Sequence, residues 1–122
     1  MPLRIVIQPP EAPSPFPKSK VSLINQSVTA NQDILSSDIE PTNTPCIFRI
    51  YVVPSGFAPV FYVARKVSDT TILEALNLGN ALQDKRAYLM DIIVDSGEKI
   101  NFRCDSSGTL AKLSVTEWDI NP

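Results

Sequence analysis

The run "CIFRIYVV", residues 46–53, alternates apolar and polar side chains, and that period constrains the fold more than any other feature of the chain. Phe48, Ile50 and Val52 fall on one side, Arg49 and Tyr51 on the other. A two-residue period marks a strand with one face buried. Further runs of strand length follow: "VFYVARKV" (60–67), "TTILEALNL" (70–78), "RAYLMDIIV" (86–94), "KINFRCD" (99–105) and "TLAKLSVTEW" (109–118). Each is bounded by turn chemistry. Gly56, Gly79, Gly97 and Gly108, all the glycines of the chain, fall between these runs, where a turn needs them. No segment keeps helical periodicity over ten residues. The predicted class is all-β, an antiparallel β-sandwich or jelly roll.

Two joints read as hairpins, "DSGEK" (95–99) and "SSGT" (106–109), both short, polar and glycine-containing. They predict a three-stranded antiparallel meander over 86–118. In it Ile100, Phe102 and Cys104 face the core, and Lys99, Asn101, Arg103 and Asp105 face outward or toward a neighbouring subunit. Leu113 and Val115 share one face of the last strand, Lys112, Ser114 and Thr116 the other, with Trp118 on the polar side as an end cap or interface residue. In "ALNLGNALQDKRAY" (75–88), Asn77, Gly79 and Asn80 disfavour a long helix. A strand end followed by a turn and one short helical turn is expected there.

The first 45 residues have a different character. "LRIVI" (3–7) has the composition of a strand, but Pro9, Pro10, Pro13, Pro15 and Pro17 each lack a backbone donor, so 9–17 is excluded from a sheet interior. Such a run favours extended polyproline-like chain at about 3.1 Å per residue, which loses little entropy on docking. Residues 1–20 are read as an extended interaction arm, with Pro9, Pro10, Pro13, Pro15, Phe16 and Pro17 as its contacts, and residues 21–122 as a single sandwich domain. "PEAP" (10–13) fits a bare PxxP pattern without a flanking arginine, and the structural arm is the preferred reading.

At 122 residues and a net charge of −2, the chain has one domain's length and no basic surplus for nucleic acid. No apolar stretch approaches the roughly 20 residues of a membrane span. The N-terminus has no apolar core of a signal peptide, so a non-secreted chain is expected and the sequon Asn25-Gln26-Ser27 is read as a chance match. Cys46 and Cys104, 58 positions apart, make neither a disulfide framework nor a paired-thiol zinc site. Two buried reduced thiols are the plain reading, and a bridge between sheets stays open.

The sequence contains no histidine. That removes Ser-His-Asp and Cys-His catalysis and the commonest transition-metal ligand. The local acid groups, Asp38 with Glu40, Asp91 with Asp95 and Glu98, and Glu117 with Asp119, read as solvated turn and edge charges. No catalytic residue, metal site or cofactor is assigned. Tyr51, Phe57, Phe61 and Tyr62 in "YVVPSGFAPVFYV" (51–63) are a candidate ligand platform, for sugar above all, although aromatics at strand spacing are commonly core or cross-strand pairs.

The layout of "VTANQDILSSDIEPTNTPCIFRIYVVPSG" (28–56) and "LNLGNALQDKRAYLMDIIVDSGEKINFRCDSSGTLAKLSVTEW" (76–118) resembles small β-sandwich structural proteins of tailed-phage particles, such as head-decoration and virion-surface proteins. An immunoglobulin-like domain is a poorer match, since no tryptophan follows Cys46 at the expected place. The resemblance implies a non-enzymatic structural subunit of a virion. Its expected partners are copies of itself, as a homotrimer, and a larger assembly such as a capsid, reached through the N-terminal arm. The alternative is a carbohydrate- or surface-binding module, with a small hydrolase as a third reading and cytoplasmic location as the alternative to a virion.

Overall fold

The structure, a computed structural model, describes residues 17–120. The arm contacts expected at Pro9, Pro10, Pro13, Pro15 and Phe16 lie outside that range. Seven strands are present among the described residues: β1 (Lys18–Val28), β2 (Cys46–Ser55), β3 (Phe61–Val67), β4 (Thr70–Ala75), β5 (Tyr88–Val94), β6 (Glu98–Cys104) and β7 (Gly108–Asp119). They form two antiparallel sheets, sheet A in the order β1-β7-β2-β5 and sheet B in the order β4-β3-β6. The class is therefore an all-β sandwich, as the alternation predicts.

The core lies where the inward parities of the two sheets meet. Phe48, Ile50, Val52, Leu113 and Val115 from sheet A oppose Phe61, Val63, Ile100, Phe102 and Cys104 from sheet B, all with no exposed surface. Phe61 and Phe102 stack with ring centroids 5.6 Å apart. Burial of each large apolar side chain contributes about 1.5–3 kcal/mol, which makes this double row the principal source of cohesion.

The connectivity corrects the expected meander. β5 pairs with β2, β6 with β3, and β7 with both β1 and β2, so the turns at 95–97 and 105–107 each carry the chain from one sheet to the other. Gly97 has φ +83°, which suits a tight turn, but tight turns serve arches as well as hairpins, and a period of two cannot say in which sheet an inward face lies. The hairpin in the structure is β3–β4, where Val67 faces Thr70 across Ser68 and Asp69. Gly108 is the first residue of β7 rather than part of a loop. The Phe57 ring lies 2.5 Å from where a Cβ on Gly108 would stand, so this glycine permits a close approach. In place of the short helical turn, Leu76–Gly79 make a tight turn in which Asn77 and Leu78 have φ +57° and +58°, outside the helical region.

β1 was not legible as a strand, and Lys18, Ser19 and Lys20, assigned by sequence to the arm, are its first residues. Beyond it, residues 29–40 run along the free edge of β6. The N–H groups of Asn31, Ile34 and Ile39 donate to the carbonyls of Cys104, Phe102 and Ile100 at 2.7, 2.9 and 2.8 Å. This overlay corrects the outward placement of Asn101, which is 1% exposed. Its Oδ1 accepts from Leu35 N and its Nδ2 donates to Leu35 O and Asp38 Oδ1.

The crossing also settles the cysteines. Val94 and Glu98 are joined by the 95–97 turn, and Cys46 pairs with Val94, so Cys46 lies at the same end of the sandwich as Glu98. Cys104 is at the far end of β6, about 20 Å along a seven-residue strand. That separation is far beyond disulfide geometry, and both thiols are free and buried.

Candidate interaction face

The two outer faces of the sandwich differ in what covers them. On sheet B, Lys66 donates to Asp33 and Asp38 and Arg103 donates to Asp33, so residues 33–38 are tied over that face by charge. Burial raises the carboxyls of Asp33 and Asp38, but hydrogen bonds from Lys66, with Arg103 for Asp33 and Asn101 for Asp38, outweigh it and hold both below their ordinary values. On sheet A, Arg49, Leu89, Asp91 and Ile93 are exposed on the outward side, with Ile47, Tyr51, Thr116 and Trp118 half-buried beside them.

Those side chains stand in three rows across the strands. Ile47 is paired with both Trp118 and Ile93, Arg49 with both Thr116 and Asp91, and Tyr51 with both Ser114 and Leu89. Leu89 and Ile93 are 59% and 58% exposed. Thus a row ending in Ile47 and Ile93 and a row ending in Tyr51 and Leu89 flank a central charged row. Strand order makes this patch, because Arg49 and Asp91 are 42 positions apart along the chain but stand on neighbouring strands, about 4.8 Å apart in space.

Arg49 and Asp91 form a bidentate pair, with Nε donating to Oδ1 and Nη2 to Oδ2, both at 2.9 Å. The hydrogen bonds from Arg49 hold the Asp91 carboxyl below its ordinary value, and the Asp91 carboxylate raises the guanidinium in turn. The Arg49 Cζ also lies 5.1 Å from the Trp118 ring centroid, within cation–π range. Trp118 Nε1 donates to Thr116 Oγ1 at 3.0 Å. The result is a fixed charged pair framed by aromatic and aliphatic surface.

The sequence-derived platform is divided by this geometry. Tyr51 and Trp118 share the outer face of sheet A. Tyr62 points outward from sheet B on the opposite side of the molecule. Phe61 is fully buried in the core, and Phe57 packs against the core beside Gly108. The stretch 51–63 therefore presents no common stacking surface. Arg49, Ile47, Leu89 and Ile93 were missing from the sequence-derived set. Outward parity was a signal for each of them, but their convergence depends on β5 lying beside β2.

Two groups with catalytic potential are occupied structurally. The thiols of Cys46 and Cys104 are pushed up by burial to about 11 and about 12, which leaves them protonated at neutral pH and poor nucleophiles. Glu117, expected as an edge charge, is instead fully buried. Its Oε1 and Oε2 accept from the N–H groups of Thr42 and Asn43 at 2.8 and 2.9 Å, and Lys20 Nζ lies 3.3 Å from Oε1. Among the described residues, no three cysteine or carboxylate side chains are grouped to hold a metal ion. Comparison with family models, with curated proteins and with solved structures finds no match to this chain.

Proposed function

We propose that this protein is a non-enzymatic structural subunit that assembles with copies of itself on a large particle of the phage-head kind its layout resembles. Its assembly surface is the outer face of sheet A, with the proline-rich N-terminal arm as a second contact. The observation that carries this reading is the patch on that face in which exposed Leu89 and Ile93 and half-buried Ile47, Tyr51 and Trp118 surround the exposed Arg49–Asp91 pair. Contiguous exposed apolar surface marks interaction sites, and tryptophan, tyrosine and arginine are the residue types enriched in them. The absence of histidine, the raised thiols and the engagement of Asp38, Asp91, Glu98 and Glu117 in ion pairs support a role without catalysis.

Light scattering over a concentration series tests the proposal on the full chain and on a chain beginning at Pro17, which keeps all of β1. A multimeric full chain and a folded, shortened chain of lower mass are expected. Two folded monomers at every concentration would overturn it.

A further inference from the structure

From the pairing register on the outer face of sheet A, we infer that this face docks a second copy of the chain about a two-fold axis parallel to the strands and midway between β2 and β5. The inference rests on the reading of this face as an assembly surface, and it adds the partner, the symmetry and the residue contacts.

A two-fold contact sets the same patch against itself. For two stacked faces the axis lies in the plane between them, and its position decides which residues meet. An axis over β2 sets Arg49 against the partner's Arg49. An axis over β5 sets Asp91 against the partner's Asp91, and one along the central row, perpendicular to the strands, again opposes like charges. Like-charge juxtaposition across an interface is strongly unfavourable.

Midway between the two strands, each strand faces the other's counterpart. Arg49 then faces the partner's Asp91, Ile47 faces the partner's Ile93, and Tyr51 faces the partner's Leu89, because these residues are direct cross-strand partners within one copy. Every contact is complementary, and each occurs twice. The axis keeps facing strands aligned, as in sheets stacked about 10 Å apart, so that the Arg49–Asp91 pairs of the two copies meet with opposite charges facing. Trp118, one strand further out on β7, lies at the rim, just beyond the partner's β5.

Continuation of sheet A through the edge of β5 is disfavoured by a different residue. Arg65 Nη1 donates to the Ile93 carbonyl at 2.7 Å and so occupies part of the edge that an added strand needs. Face-to-face stacking leaves this contact intact.

The test uses charge reversal with exchange, followed by light scattering and analytical ultracentrifugation of the full chain. Arg49→Asp makes positions 49 and 91 both acidic, and Asp91→Arg makes both basic. Each variant alone is expected to weaken self-association at least tenfold, about the effect of like charges meeting across an interface. An equimolar mixture is expected to recover it as a mixed dimer, because every acidic position then meets a basic one. Thermal melting checks that both variants fold. Leu89→Lys, at an exposed position, is expected to abolish the contact without unfolding the chain.

Recovery on mixing establishes the two-fold register. A wild-type chain whose self-association ignores all three variants overturns it while leaving the structural-subunit reading intact. A monomeric wild-type full chain overturns both.

Discussion

Glu117 shows how much a single residue can bind together. The carboxylate continues the inward face of Leu113 and Val115 on β7, and it is tolerated there because two backbone N–H groups and the Lys20 ammonium converge on it. Burial raises its carboxyl, and the hydrogen bonds from Thr42 and Asn43, with Lys20, more than reverse the effect. Glu117→Gln replaces an acceptor by a donor and leaves one of those N–H groups unsatisfied, so a loss of about 1–3 kcal/mol is expected in urea unfolding at neutral pH. Because the folded-state value is depressed, the charge contributes its stability in full above the ordinary value of 4.5 and loses it as pH falls through the lower folded value. The wild-type advantage over the variant should therefore shrink as unfolding is measured at successively lower pH below 4.5. A gap that stays constant would show that the carboxylate charge contributes nothing. The sequence offered parity as a clue to this residue, but charge argued the other way, and the donors lie 74 and 75 positions away.

At the scale of elements, the alternating strands were legible because each buries one face, whereas β1 was not. Its residues are exposed or half-buried along most of its length, and Asn25 with φ +52° breaks its regularity. Strand order was illegible for another reason, since the same glycine-containing turns serve a hairpin and an arch. Tyr51 and Trp118 were therefore recognisable as outward aromatics, while the patch around them was not. Edge protection is a further property of whole elements. On the side where β4 and β5 end their sheets, Arg65 donates to Glu74 and Glu98 as well as to the Ile93 carbonyl. Arg65→Ala leaves two half-buried carboxylates without their cation and uncovers a strand edge. A loss of about 2 kcal/mol is expected in chemical denaturation, discounted from the 3–5 kcal/mol of a fully buried pair because the cluster is partly exposed. Faster aggregation on gentle heating should accompany it, and unchanged stability would show that the cluster is ornamental to the edge.

The whole molecule is dominated by pairings between distant parts of the chain. β1 is held by β7, and the Lys112 to Ser22 hydrogen bond spans 90 positions. Such topologies fold slowly, in about milliseconds to seconds. If β1 docks after the rest is formed, Leu23→Ala on β1 should accelerate unfolding in stopped-flow experiments and leave the refolding rate nearly unchanged. An equal slowing of refolding would place β1 in the folding nucleus instead. The position of β7 between β1 and β2 has a consequence for synthesis. The strands of sheet B are all available once Cys104 has left the ribosome, but sheet A lacks its centre until Asp119 follows. Through that interval the nascent chain displays the apolar sides of β1 and β2 with nothing to join them, a period in which chaperones or neighbouring nascent chains have access to surfaces that the finished protein conceals.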